Sequence, residues 1–226
     1  MPSHESQKHG LVRPRQLFGS GKNMPNNKSF ILDFKIVNMK EFIQFWQQYY
    51  SESTYPEKEY LYHLKKDGSL TPEDLLYLLE WKNAKPLSQK KQLVYENAKK
   101  KLDRLMKYRN LDRFKADHVH ELYSLVSEIV RTGLIWKIFL MHVARPDDFP
   151  LFDQHVYRSY FFLKNGEIID RKLTEDDKNL YQEYFSYVTK LRDEMSLDLR
   201  TIDKALFAFG KFLKEHKGGI AKTLKA

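Results

Sequence analysis

The chain has 226 residues, enough for one large domain or two small lobes with a shared core. Its formal net charge of +9 favours an anionic partner, with nucleic acid ahead of an anionic membrane, although such a charge can also serve solubility alone. The lack of cysteine excludes disulfides, iron–sulfur clusters and cysteine-based zinc sites.

No apolar run in the sequence is long enough to span a bilayer, and the first ten residues lack the apolar centre of a secretion signal. We therefore expect a soluble, cytoplasmic protein. The segment 1–28 is predicted to be a flexible basic arm, because five basic residues stand against a single acid without hydrophobic periodicity. Disorder and phosphate contact are both open for this arm. Residues 30–37 then alternate with a period of two, which predicts a short strand.

Apolar residues spaced by three and four positions predict about eight helices after that strand. The clearest start is Thr71-Pro72, where Thr caps the helix and Pro occupies its first turn. The next helix, capped by Ser88, has a very basic face that is either solvated or turned toward phosphates. Further helices are predicted over about 42–49, 119–130, 134–142, 154–163, 174–195 and 202–213. The fold is therefore expected to be mainly α, as a two-lobed helical bundle over 29–216 with a flexible basic tail at 217–226.

Asp153 stands directly before one of these helices, and Pro146 and Pro150 fix the approach to it. The position predicts a helix N-cap, in which the carboxylate accepts hydrogen bonds from the first helical amides. Such bonds also favour the ionised form. A carboxylate held in this way can cap a helix and act chemically at once, and spacing alone does not separate the two roles.

The segment Phe149-Pro-Leu-Phe-Asp-Gln-His-Val-Tyr-Arg158, which follows Thr132-Gly133 between two helices, resembles the helix-hairpin-helix DNA glycosylase superfamily. That family places its catalytic Asp after a Pro-containing loop, commonly as Asp-x-His-(Val or Ile)-x-Arg. The matching residues are Asp153, His155, Val156 and Arg158. The resemblance covers about residues 121–162. It implies an enzyme that rotates one nucleotide out of the DNA stack and cleaves the bond between base and sugar. Asp153 would stabilise the sugar cation and orient a water molecule.

The same resemblance assigns DNA phosphate contacts to the hairpin residues Arg131, Thr132 and Gly133. Two features depart from the family pattern. Only Gly133 remains of the usual Gly-x-Gly, and no lysine follows the hairpin directly, where strand-cutting members carry the lysine that forms a Schiff base. We therefore expect a monofunctional enzyme that uses water. Lys137, one helical turn further on, is the second catalytic candidate, with a phosphate contact or a solvent-facing position as its alternatives.

His155 and Arg158 are candidates for DNA contact, with structural roles as the alternative. Candidates for a base pocket share an aromatic face or a polar group at a helix end: Trp46, Trp81, Lys82, Trp136 and Phe152. His142 is expected to be packed rather than metal-ligating, and neither a metal site nor a cofactor is predicted.

The predicted function is removal of a damaged or modified base from double-stranded DNA by a monomer. Its role would be DNA repair or defence against modified foreign DNA. Two alternatives stay open. One is a non-catalytic helical protein that binds DNA or a partner protein, with Asp153 as a structural cap. The other is a basic helical scaffold that binds RNA.

Overall fold

The computed structural model describes residues 38–64 and 69–223, with side chains as far as residue 217. The predicted basic arm 1–28 and the predicted strand 30–37 lie outside these residues. Helices make up the regular structure of the described ranges, which contain no strand. The helices are α1 Met39–Trp46, α2 Glu57–Leu64, α3 Pro72–Asn83, α4 Gln89–Lys100, α5 Leu102–Arg109, α6 Ala116–Ile129, α7 Leu134–Ala144, α8 Gln154–Asn165, α9 Lys178–Met195 and α10 Leu199–Thr223. The prediction of a mainly α fold is therefore confirmed.

Three local features differ from the sequence prediction. Helix α2 was not predicted, because its apolar signal is limited to a few positions such as the buried Tyr60 and Leu64. The helix predicted after Ser88 divides at Lys101, whose backbone leaves the helical region, and the second part packs on α6 and α7 as α5. Ser88 itself occupies the N-cap position without a side-chain capping bond. Helix α10 stays helical to Thr223, beyond the boundary predicted for a loose tail.

Thr71 begins α3 as predicted. Its hydroxyl accepts a hydrogen bond from the backbone N–H of Asp74 at 3.2 Å, and the Asp74 carboxylate accepts one from the Thr71 N–H at 2.9 Å. This reciprocal pair is a capping box, which fixes the first residue of a helix. Because the start of α3 is fixed, Trp81 and Lys82 fall in its last turns.

Buried apolar side chains form two clusters. The first joins α2 to α6 with much of α7, and the second joins α1, α8, α9 and α10. Helix α7 contributes to both, since Phe139 and Leu140 belong to the first cluster while Leu134 and Ile138 belong to the second. Phe207 of α10 packs against both clusters. The two clusters therefore meet along α7 and near the start of α8. Among the helices that the structure describes, none combines the length and the hydrophobicity needed to cross a bilayer.

Helix α8 approaches α10 closely at Gly210. A Cβ atom built there would lie 1.9 Å from the carbonyl oxygen of His155 and 2.9 Å from Ser159 Oγ. Only glycine permits such an approach of two helix backbones. The Ser159 hydroxyl donates to the carbonyl of Leu206 nearby. This contact fixes the start of α8 against the helix that carries Arg200 and Asp203.

We expect Gly210→Ala to lower the free energy of unfolding by about 2–3 kcal/mol, because the added methyl group must displace the backbone of α8. Urea denaturation followed by circular dichroism measures this loss. Lys211→Ala, at the adjacent exposed position, is the control and should change stability by no more than about 0.5 kcal/mol. Equal stability of the two variants would contradict the close packing.

Candidate functional site

A pocket lies where the two apolar clusters meet, next to the start of α8. It is lined by side chains from the loop before α2, the end of α3, the segment before α8, α8 itself and α10. These residues are Tyr50, Tyr55, Trp81, Lys82, Leu151, Asp153, Val156, Arg200, Asp203 and Phe207. The cavity volume is about 30 Å³, which is room for about two water molecules. The pocket therefore combines aromatic walls with two acids and two bases in a small space.

Asp153 is the N-cap of α8, as the sequence predicted. Its Oδ1 atom accepts hydrogen bonds from the backbone N–H groups of His155 at 2.8 Å and Val156 at 2.9 Å. Its Oδ2 atom lies 3.4 Å from Nζ of Lys82. One oxygen thus caps the helix while the other faces an ammonium group across the pocket.

The protein environment keeps Asp153 ionised. Burial acts to raise the pKa of this carboxyl group, but the charge of Lys82 and the two backbone N–H donors outweigh it, so the pKa lies below its ordinary value. The side chain is 19% exposed, so the negative charge is largely removed from water. An ionised carboxylate in such a place interacts strongly with positive charge that develops nearby.

Lys82 reaches the pocket from the last turn of α3. Its side chain is only 10% exposed, and Nζ lies 5.9 Å from the centroid of the Phe139 ring. The neighbouring Trp81 stacks on Tyr60 at 4.1 Å between ring centroids. The buried indole N–H of Trp81 has no hydrogen-bond acceptor among the residues that the structure describes.

Arg200 of α10 forms another wall. Its guanidinium lies 5.0 Å from the ring centroids of both Tyr50 and Tyr60, and 5.2 Å from that of Trp81. It donates to both carboxylate oxygens of Glu57, with Nε–Oε1 at 3.0 Å and Nη2–Oε2 at 2.7 Å. Planar guanidinium groups suit this combination of aromatic stacking and two-pronged pairing. Arg200 therefore joins α2, α3 and α10 around the pocket.

Asp203, one turn after Arg200 on α10, was not among the sequence candidates. It is 2% exposed. Its Oδ2 accepts a hydrogen bond from the Leu151 N–H, and its Oδ1 accepts one from the Tyr184 hydroxyl, both at 3.0 Å. Burial raises the pKa of Asp203 to about 7, although Arg200, these two donors and Lys82 oppose the rise. The one signal for it in the sequence is an acid within the apolar stripe of the last helix.

The hairpin candidates lie in a different environment from the Asp153 pocket. Gly133 is the N-cap of α7 with φ of 117°, a left-handed conformation that favours glycine. Its N–H donates to Glu175 Oε1 at 2.5 Å, and Lys137 Nζ pairs with Glu175 Oε2 at 2.7 Å. Arg131 and Thr132 are exposed. The structure therefore places Lys137 with Glu175, and it is not among the residues that line the Asp153 pocket.

Arg158 has structural contacts. Its side chain is 5% exposed and donates to the carbonyl oxygens of Ile169 and Gly210, each at 3.2 Å. Of the two roles left open for it, these contacts favour the structural one. His155 is half-buried, with its ring centroid 5.0 Å from that of Phe207. Burial lowers the pKa of His155, and Asp153 only partly opposes this.

The structure separates the five base-pocket candidates. Trp81 and Lys82 line the pocket together with Asp153, whereas the other three have different neighbours. Trp46 packs on the rings of Phe209 and Phe212, Phe152 packs on Tyr181 and Tyr184, and Trp136 lies 5.0 Å from the ammonium group of Lys91.

His142 is buried, as expected. Its Nδ1 donates to the Phe149 carbonyl at 2.6 Å, and its Nε2 accepts from the Tyr60 hydroxyl. Burial lowers the pKa of His142 to about 3, so the ring is neutral. Within the described residues, no three His, Asp or Glu side chains are grouped so that they could hold a metal ion.

No family model, curated protein or solved structure is significantly similar to this chain. The glycosylase resemblance therefore rests on the residues around Asp153 themselves.

We expect Lys82→Met to raise the pKa of the Asp153 carboxyl group, because the opposing positive charge is lost while burial remains. Carboxyl ¹³C NMR titration of the two proteins measures the change. Lys85→Met, an exposed change just after the same helix, is the control and should leave the Asp153 titration in place. An unchanged pKa in Lys82→Met would show that Asp153 stays ionised without the charge of Lys82.

Proposed function

We propose that this protein is a monofunctional DNA glycosylase that removes a damaged or modified base from double-stranded DNA. The observation that carries the proposal is the ionised Asp153 carboxylate, held at the start of α8 and facing Lys82 in an aromatic-walled pocket. The Asp-x-His-Val-x-Arg segment around it, which resembles the helix-hairpin-helix glycosylases, supports the same chemistry. Repair and defence against modified foreign DNA are both compatible with this site.

In the proposed reaction the departing base leaves positive charge on the sugar. The Asp153 carboxylate stabilises this charge, and its partly desolvated position makes the interaction stronger than it would be in water. The oxygen that faces Lys82 also accepts a proton from the water molecule that attacks C1′. Lys82 keeps the carboxylate ionised before the reaction and offers a hydrogen bond to the substrate.

The pocket must enlarge to receive a base, because its present volume holds about two water molecules. Tyr55 is the wall residue best placed to move, since it is only partly buried and lies in the loop before α2. The walls formed by Trp81 and Arg200 are fixed by stacking and by the Glu57 ion pair. Entry of the base would therefore displace the Tyr55 side chain, which packs edge-on against Trp81 and Phe207.

Positive charge on the segment that follows Lys82 supports a DNA partner. Lys85 and Lys90 are exposed on the segment that follows Lys82. Lys91 bonds to the Asn83 side chain, which brings the start of α4 next to the end of α3. Phosphate contacts from these lysines would hold the DNA backbone beside the pocket, with a strong dependence on salt concentration.

The decisive substitution is Asp153→Asn. Asn caps helices about as well as Asp, so the variant keeps the cap and removes the charge. Wild-type protein is incubated with duplexes that each contain one modified base, and alkali then reveals abasic sites. We expect Asp153→Asn to slow base release by about 100-fold or more. Asp147→Asn, in the same loop but exposed, should retain the rate.

The same assay decides between the alternatives. If Asp153 is only a helix cap, wild-type protein would release no base from any duplex. The Asp153→Asn variant would then bind DNA as well as wild type does. Tighter binding to RNA than to every duplex, again without base release, would identify an RNA-binding scaffold.

We expect Lys137→Met to retain base release, because Lys137 is paired with Glu175 rather than with Asp153. Borohydride traps the covalent Schiff base that a strand-cutting lysine forms with the sugar, and denaturing gels detect the trapped complex. Wild type and Lys137→Met should both give none. A complex that appears with wild type and disappears in Lys137→Met would show that Lys137 is the nucleophile of a strand-cutting enzyme.

A further inference from the structure

The pocket contains a second carboxyl group that the reaction described so far does not use. Asp203 lies on the same pocket wall as Arg200 and lines the cavity together with Asp153 and Lys82. Each of its oxygens accepts one hydrogen bond, from the Leu151 N–H and from the Tyr184 hydroxyl. A carboxyl oxygen has more than one acceptor position, so these bonds leave room for a proton on Asp203.

The groups around Asp203 come from several helices. Arg200 faces it from α10 and Lys82 from α3, and both favour its ionised form. The hydroxyls of Tyr60 on α2, and of Tyr181 and Tyr184 on α9, are also close enough to interact with its charge. Asp153 adds a second negative charge to the same pocket. Deep burial outweighs the favourable partners, so Asp203 holds its proton up to about neutral pH, with a pKa of about 7.

We propose that Asp203 is the general acid that protonates the leaving base, while Asp153 acts on the sugar. This inference rests on the proposed function, because it assigns a second role within the same site. Two carboxyl groups whose environments separate their protonation states are the usual basis for dividing acid and charge-stabilising roles. Here Asp153 has two backbone donors and a lysine, whereas Asp203 is almost completely buried.

The proposed step balances. The bond between C1′ and the base nitrogen breaks, and its electron pair stays on the base. The Asp203 carboxyl proton passes to an acceptor atom of the base, which leaves as a neutral molecule. Water adds to C1′ and gives its proton to Asp153, and exchange with solvent restores both carboxyl groups to their starting states. The net reaction is hydrolysis, and it requires no oxidant, reductant or further reactant.

The proposal also indicates which kind of base the pocket accepts. A protonated Asp203 offers a hydrogen to a ligand in the pocket that it lines. A base whose edge carries a ring nitrogen or carbonyl acceptor satisfies this donor, and a base that offers only hydrogen donors leaves it unpaired.

The first test does not depend on base release. Carboxyl ¹³C NMR titration of the full chain, with Asp203→Asn to assign the signal, should show Asp203 titrating near pH 7. A titration near pH 4 would overturn the proposal, because the group would then hold no proton under working conditions.

The second test measures single-turnover base release between pH 5 and 9, on the modified duplex that wild type cleaves fastest. The wild-type rate should fall about tenfold per pH unit above the pKa of Asp203, because the required proton is then missing. Asp203→Asn should be about 100-fold slower at pH 6 and should lack this fall. Asp193→Asn, an exposed acid on α9, is the control and should follow the wild-type profile. A wild-type rate and profile in Asp203→Asn would show that Asp203 has no role as an acid.

Tyr184→Phe keeps the test decisive if Asp203→Asn does not fold, which circular dichroism and thermal unfolding reveal. Loss of the tyrosine hydroxyl removes a donor that favours ionised Asp203, so the fall in rate should move to higher pH. An unmoved profile would contradict the assignment. Failure of the proposed function has a different signature, which is no base release by wild type from any duplex, whatever the titration of Asp203.

Discussion

The site depends on how the carboxylate of Asp153 is held. Two backbone N–H groups in the first turn of α8 bind one of its oxygens, while Lys82 at the end of α3 attracts the other. A helix cap of this kind contributes on the order of 1 kcal/mol to stability. Its larger consequence is positional, because the contact between Asp153 and Lys82 joins α8 of the second apolar cluster to α3 of the first. The aromatic walls and the buried acid of α10 are arranged around that pair.

The pocket concentrates charge where burial makes charge costly. Lys82, Asp153, Glu57, Arg200 and Asp203 all lie within or beside it, and each is largely shielded from water. Buried ion pairs add little net stability compared with apolar packing, because desolvation offsets most of their attraction. A cleft that gathers these buried charges, with the pKa of Asp153 lowered and that of Asp203 raised, is therefore a better indicator of a functional site than of a device for stability.

Helix packing gives this charged cluster its geometry. The contact between α8 and α10 is close enough to require Gly210, and Arg158 reinforces it by donating to the Gly210 carbonyl. Asp203 adds a tie from α10 to the Leu151 N–H, two residues before Asp153. The loop that carries Asp153 is thus held on both sides of the residue. Small movements of α10 would be transmitted to the carboxylate, so residues far from it in sequence control its placement.

The sequence by itself determined the local features of the structure. Periodic apolar residues predicted most of the helices, Thr71-Pro72 predicted the start of α3, and the residues before α8 predicted the Asp153 cap, because each depends on neighbours within about one helical turn. Trp81 and Lys82 were also among the candidates. The sequence did not indicate that they would face Asp153, nor that Trp46, Trp136 and Phe152 would pack elsewhere.

Only the tertiary structure decided which distant groups meet. Glu57 and Arg200 pair across 143 positions, Lys137 pairs with Glu175 across 38, and Leu151 binds Asp203 across 52. Side-chain periodicity assigns a residue to a helix face, but it does not specify which other helix that face will contact. The protonation of Asp203 depends on the tertiary structure for the same reason. The pKa of its carboxyl group is raised because the helices packed around it bury it.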